Sequence, residues 1–195
     1  MIRIENKLLF ILAFLMALVV VLSNYLVQFP VHYMGFQDLL TYGAFSYPIA
    51  FLITDLSNRR YGKNTAKKIV YLGFALGVFI TLYFSTNYSD LISIRIAIGS
   101  GSAFLVAQLI DVNIFDRLRK KVWFVAPLVS SLIGSGIDTF LFFSISFYGT
   151  EVNWITLSFG DLFVKIFVAL MMLIPFRILL SHVKEISAME KKISI

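Results

Sequence analysis

The stretch WITLSFGDLFVKIFVALMMLIPFRILL, residues 154–180, sets the class of this protein. It exceeds the ~20 predominantly apolar residues that one bilayer crossing requires, so its length and composition predict a membrane-spanning helix. Inside it Asp161 and Lys165 stand at i and i+4, which puts an acid and a base on one helix face. A charged side chain at the centre of a bilayer costs about 3 kcal/mol on insertion scales and persists where it is paired or faces a polar cavity. Read structurally, the pair neutralises itself and fixes helix packing. Read functionally, it lines a ligand site.

Working outward, the rest of the chain repeats the pattern. The protein is 59% hydrophobic and only 14% charged, far from the balance of a soluble domain. Apolar runs and their punctuation predict helices near 8–29, 39–56, 68–86, 91–114, 122–148 and 154–180. The expected fold is therefore an all-α membrane protein, a bundle of six transmembrane helices forming a single domain over residues 1–195. The first run is too long and too polar at its far end for a cleaved signal peptide, and it lacks a small-residue cleavage site. It is expected to remain as a span.

Basic residues alternate between connections. Arg3 and Lys7 precede the first helix; Arg59, Arg60, Lys63, Lys67 and Lys68 follow the second; Arg117, Arg119, Lys120 and Lys121 follow the fourth; Lys184, Lys191 and Lys192 follow the sixth. The connections near 30–38 and 87–90 have no Lys or Arg, and that near 149–153 has only Glu151. The positive-inside rule then places both termini in the cytoplasm. The net charge of +6 thus reports topology, because a nucleic-acid binder would gather its basic residues on one solvated face.

Several chemistries are excluded or unsupported. No cysteine is present, which rules out disulfides, thiol nucleophiles and thiolate metal sites. His32 and His182 have no companion at a metal-ligand spacing, so neither a metal nor another cofactor is expected. No Gly-x-Ser-x-Gly turn and no phosphate-cradling glycine loop occurs, which argues against an enzyme and against a self-powered pump.

Polar residues inside the predicted spans are the candidates for function. Arg95 lies a turn into the fourth helix and Asp138 within the fifth, at a depth similar to Asp161 and Lys165. Asn24 and Gln28 are i and i+4 in the first helix; amides suit a ligand with both donor and acceptor edges, but they also bond helix to helix. Tyr42-Gly43-Ala44-Phe45-Ser46-Tyr47-Pro48 opens the second helix, where Pro48 frees a carbonyl and the aromatics offer flat faces. Asp55, Gln108 and Asp111 lie toward the basic loops as a possible cytoplasmic gate, with Asp55, Asp111 and Asp116 expected to pair with Arg59, Arg60, Arg117 and Arg119. Small residues recur at Ala13-x3-Ala17, Gly73-x3-Gly77, Gly99 with Gly101, and Ser130, Ser131, Gly134 and Gly136, where they permit close helix approach. Thr54-Asp55-Leu56 and Asp111-Val112-Asn113 end two helices alike, short of an inverted repeat.

Taken in order, Ser23 to Pro30, Tyr42 to Pro48 through Thr54-Asp55-Leu56, Arg59 to Gly62, Arg95-Ile96-Ala97, Ala107 to Val112 through Phe115 to Arg119, Trp123 to Pro127, Asp138-Thr139, and Asp161 with Lys165 resemble the queuosine precursor transporters of the bacterial inner membrane. This family is also catalogued as vitamin uptake transporters. The resemblance covers nearly the whole length. It implies uptake of 7-cyano-7-deazaguanine or its aminomethyl relative, precursors of a modified tRNA base. By the same implication, Asp138 or Asp161 would accept adjacent N–H donors of a guanine-like edge, and Arg95 or Lys165 would meet its oxygen. Asn24 and Gln28 would read the remaining edge while Phe45 or Tyr47 stacks on the ring. The alternative is a substrate-capturing subunit of an energy-coupling-factor transporter, of similar length and helix count, for which Ala13-x3-Ala17 resembles a docking patch. A homodimer or an energising subunit stays open as partner beside the lipid bilayer and the small-molecule substrate.

Overall fold

A computed structural model describes residues 2–26, 28–32, 41–84 and 88–180, with only the backbone described over 2–6. The described residues form six helices: α1 Ile2–Leu26, α2 Gly43–Tyr61, α3 Lys63–Phe84, α4 Leu91–Leu118, α5 Val125–Phe147 and α6 Trp154–Leu180. No strand occurs among the described residues, only an isolated bridge between Pro30 and Thr41 that ties the end of α1 to the start of α2. Most of the connection expected over 30–38 lies outside the described residues, as do His182, Lys184, Lys191 and Lys192.

Helices expected from the sequence are present with shifted ends. The second was expected over 39–56, but α2 continues through Arg59 and Arg60 to Tyr61, and Gly62, at φ +81°, makes the break before α3 begins at Lys63. Much of the basic connection is therefore helical. Lys and Arg are good helix formers, and a single glycine in the left-handed region suffices to redirect the chain.

Five helices are long and apolar enough to cross a membrane: α1 from Lys7, α3, α4, α5 and α6. The exception is α2, which carries Asp55, Asn58, Arg59 and Arg60 and touches all five other helices. Eleven of its 19 residues are buried, against five of 27 in α6. A helix enclosed by its neighbours does not need the apolar composition that lipid imposes, which accounts for its polarity.

The amphipathicity of α6 is inverted relative to a soluble protein. Its buried residues are Ser158, Asp161, Lys165, Ala169 and Phe176, mostly one stripe at three- and four-residue steps. Its exposed residues include Phe159, Phe163, Phe167, Ile174 and Ile178. Phe10, Phe14 and Leu18 on α1 and Phe79 and Tyr83 on α3 extend the apolar exterior. Such a continuous apolar belt around a polar interior is the pattern of a multi-pass membrane protein.

Small residues set the closest helix contacts. A Cβ at Gly73 would meet Met16 Cγ at 2.5 Å and the Ala13 carbonyl oxygen at 3.1 Å, and one at Gly77 would meet Val20 at 2.9 Å. Gly73-x3-Gly77 of α3 thus packs on the Ala13-x3-Ala17 side of α1, and Ala13 and Ala17 are buried. On the other side of the bundle, Gly99 of α4 sits against Ser146 and the Phe142 carbonyl of α5. Gly134 of α5 sits against the ring of Phe51 in α2.

Where the basic loops emerge, α2 and α4 are tied by guanidinium-to-carbonyl bonds. Arg59 Nη1 donates to the Arg119 carbonyl at 2.6 Å, and Arg119 Nη2 donates to the carbonyls of Asn58 and Arg59 at 3.2 and 3.0 Å. Carbonyls at helix C-termini lack intrahelical donors, and cations answer both that need and the helix dipole. The expected carboxylate partnering is met at one place, Arg119 with Asp116 at 3.3 Å. Among the described residues neither Asp55 nor Asp111 pairs with these arginines, because both turn inward.

We expect Gly73→Val to lower stability by about 1–3 kcal/mol, since the added methyls have nowhere to go between α1 and α3. Gly136→Ala, whose Cβ meets nothing within 4 Å, should leave the thermal midpoint of the purified protein unchanged or slightly raised.

Candidate functional site

The polar interior is organised around Lys165. Its Nζ lies 2.6 Å from Asp161 Oδ2, 2.9 Å from Asp138 Oδ2 and 3.1 Å from Thr139 Oγ1. Thr139 in turn donates to Asp161 Oδ2 at 2.8 Å. Asp161 and Lys165 come from successive turns of α6, Asp138 and Thr139 from the facing turn of α5. All three charged side chains are at most 5% exposed. The small residues Ser131 and Gly134 precede Asp138 on α5 and let α2 approach, Ser131 reaching Asp55 and Gly134 meeting the ring of Phe51.

Above the ammonium lies the ring of Tyr47 from α2, its centroid 5.0 Å from Lys165 Nζ, within cation–π range. Tyr47 Oη donates to Asn24 Oδ1 at 3.2 Å, and Asn24 Nδ2 donates to Thr81 Oγ1 of α3 at 3.1 Å. Beside this chain, the hydroxyls of Ser23 and Ser46 meet at 2.7 Å. Five helices are thereby connected through one buried polar network.

The site carries two carboxylates against one ammonium. At an effective dielectric near 20, each contact at this range is worth about 6 kcal/mol, comparable with the several kcal/mol lost on desolvating each ion. The second carboxylate leaves the site with surplus acceptor capacity. Both Oδ1 atoms make no hydrogen bond among the described residues, because Lys165 and Thr139 engage the Oδ2 atoms. They border a small cleft lined by Gly43, Tyr47, Asp138, Phe142, Asp161 and Lys165. An acceptor-rich wall beside two aromatic rings suits a flat molecule that presents N–H donors.

Of the residues expected to bind substrate, Asp138, Asp161, Lys165 and Tyr47 line this cavity, and Asn24 supports it through Tyr47. Three others lie elsewhere. Gln28 is exposed beyond the end of α1 and donates to the Asn24 carbonyl at 3.3 Å. Phe45 is 46% exposed on the outer face of α2, one residue removed from the inward side. Arg95 is spent on the end of α5: its Nε and Nη2 donate to the Ile145 carbonyl at 3.1 and 3.0 Å, and Nη2 also donates to the Tyr148 carbonyl at 2.7 Å. Phe142 and Gly43 were not anticipated. Phe142 recurs four residues after Asp138, a helical spacing that put it on the same face in the sequence.

Asp55, Gln108 and Asp111 form a separate layer toward the basic end. Thr54 Oγ1 donates to Gln108 Oε1, and the hydroxyls of Ser130 and Ser131 each approach a carboxylate oxygen of Asp55 at 3.4 Å.

An apolar-clad helical bundle with a charged cleft among its helices is the arrangement of a multi-pass membrane protein. Residues 41–180 match the family described as "putative vitamin uptake transporter", and the chain belongs to that family. Its relatives include a probable queuosine precursor transporter of Haemophilus influenzae, 34% identical over 193 residues covering 84% of this chain and 82% of the relative. The queuosine precursor transporter of Escherichia coli K12 is 33% identical over 188 residues, covering 87% and 84%. A probable queuosine precursor transporter of Bacillus subtilis is 27% identical over 156 residues, 68% of each chain. No solved structure matches.

Lys165→Met should destabilise the fold by about 3–5 kcal/mol, since it leaves two buried carboxylates uncompensated. Adding Asp138→Asn and Asp161→Asn to Lys165→Met should recover most of that loss in thermal unfolding of the purified protein. A midpoint for Lys165→Met equal to wild type would show that the three charges are not a mutually dependent unit.

Proposed function

We propose that this protein imports 7-deazaguanine precursors of queuosine, 7-cyano-7-deazaguanine and its aminomethyl relative, across the bacterial inner membrane as a stand-alone carrier. The observation that carries the proposal is the cavity beside Tyr47 and Phe142, with an unoccupied oxygen on each of Asp138 and Asp161. A guanine-like edge has adjacent N–H donors that one carboxylate accepts in bidentate fashion. Its flat face falls to the tyrosine ring, while Lys165, whose three N–H groups are already engaged, holds the two carboxylates in place. The excess negative charge also suits the amine of the aminomethyl compound.

In this reading α2 is a sixth crossing, held within the bundle, and both termini are cytoplasmic because the basic loops follow α2 and α4. The cavity then lies in the middle to outer half of the membrane. The Asp55 layer lies between it and the cytoplasm. Closing the cavity removes water, which strengthens each polar contact with the substrate.

The energy-coupled alternative needs an open docking patch on α1. Ala13 and Ala17 instead carry the α3 contact, which supports a carrier that works alone. The match to transporters likewise supports a non-enzymatic role.

In proteoliposomes containing only this protein, saturable uptake of labelled 7-cyano-7-deazaguanine is expected, competed by the aminomethyl compound. Asp138→Asn should reduce uptake by about tenfold or more, the loss of one charge-assisted hydrogen-bond pair worth roughly 1.5–3 kcal/mol. Tyr47→Leu should raise the half-saturating concentration through lost stacking. Undiminished uptake in both variants would place the substrate elsewhere.

A further inference from the structure

The Asp55 layer is buried as fully as the charged residues of the cleft, and among the described residues it contains no cation. Asp55 is 2% exposed and Asp111 0%, on facing turns of α2 and α4. The bonds of Thr54 to Gln108 and of Asn58 to the Val112 carbonyl on either side bring these two turns together. Asp55 receives only the two long hydroxyl contacts from Ser130 and Ser131, and both oxygens of Asp111 lack a hydrogen-bond donor. Ser135, one turn along α5 from Ser131, has a fully buried hydroxyl without a partner, as does Gln108 Nε2 one turn before Asp111.

Among the described residues, the surrounding elements supply no positive charge at this level. From α3 the neighbouring buried residues are Ala66 and Val70, packed with Val112, and from α6 they are Ala169 and Phe176. Arg59 and Arg119 are turned to main-chain carbonyls a turn or more away, with Asp116 beside Arg119. Lys165 is held between Asp138 and Asp161. Two buried carboxylates on facing turns cannot both remain ionised without a compensating cation.

We propose that Asp55 and Asp111 form the coupling site of the carrier, binding one proton between them whose release accompanies delivery of the substrate. This rests on the transport reading above. Access is present as a narrow crevice between α2, α5 and α6, bounded by Pro48, Phe51, Asp55, Pro127, Ser131 and Phe176. Communication with the substrate cavity runs along the same two helices. Asp55 lies eight residues beyond Tyr47 on α2, and Ser131 lies seven before Asp138 on α5, each about 10–12 Å along the axis. Between the two levels Phe51 rests against Gly134, and Pro48 removes one backbone hydrogen bond from α2. When the proton leaves, the carboxylates repel. Any resulting spread of α2 from its neighbours then reaches Tyr47.

Two measurements test this. In proteoliposomes, an inward proton gradient of one pH unit should drive up to about tenfold accumulation of labelled 7-cyano-7-deazaguanine, as expected for one proton per neutral substrate. Asp111→Asn and Asp55→Asn should lose that accumulation while still exchanging external for internal label. Accumulation driven by a sodium gradient and not by protons, or proton-driven accumulation retained in both variants, would overturn the proposal. Absence of exchange in the wild type would overturn the substrate assignment alone, because the second measurement needs no substrate. Infrared spectra of the purified protein should contain the C=O band of a protonated carboxylic acid that disappears in Asp111→Asn. An unchanged band would assign the proton to another group and overturn the coupling site.

Discussion

One ammonium between two carboxylates in a hydrocarbon environment is the constraint on which the architecture depends. Lys165, Asp138 and Asp161 are tolerable inside the bilayer only together, so α5 and α6 must meet at those turns. The requirement reaches outward. It demands a hydroxyl at Thr139 to share the crowded acceptors and an aromatic face at Tyr47 to cover the charge. Tyr47 then needs a partner for its own hydroxyl, which Asn24 supplies, and Asn24 in turn bonds Thr81. A chain of local obligations thus links helices that are far apart in sequence.

Lipid and protein divide the helix surfaces in opposite ways on different elements. The large phenylalanines of α6 face outward and its polar stripe inward, whereas α2 has no need of an apolar exterior because the other five helices surround it. This makes α2 the natural member to carry polar groups at several depths. Tyr47 lies at the cavity, Thr54 and Asp55 in the second layer, and Asn58 and Arg59 at the basic end, where Asn58 Nδ2 donates to the Val112 carbonyl at 2.9 Å. The close α1 to α3 contact through Gly73 and Gly77 braces the side opposite the cavity.

Much of the cavity was legible in the sequence because an intramembrane charge is conspicuous and i, i+4 spacing fixes its face. Asp138, Asp161 and Lys165 could be selected on that ground alone. Arg95 met the same criterion and yet is consumed by the carbonyls ending α5, since an arginine near a helix end satisfies unpaired carbonyls as readily as it meets a ligand. Phe45 and Tyr47 are two residues apart in a helix, so only one of them can face inward, and their shared aromatic character did not say which. Asp55 and Asp111 stood beside arginines in sequence, but their helical phase turns them away from the basic loops.

The sequence by itself determined the membrane class, the number of helices, most of their extents and the charges that must be buried, because lipid penalises polar surface in every arrangement of the chain. It also carried enough ordered motifs to indicate the family. The tertiary structure decided which polar groups meet: that Lys165 bridges two carboxylates, that Arg95 braces α5, that Ala13-x3-Ala17 is covered by α3, and that Asp55 faces Asp111. Those outcomes depend on the rotation of each helix about its axis and on its neighbours, and both are set by contacts between distant residues that no local pattern encodes.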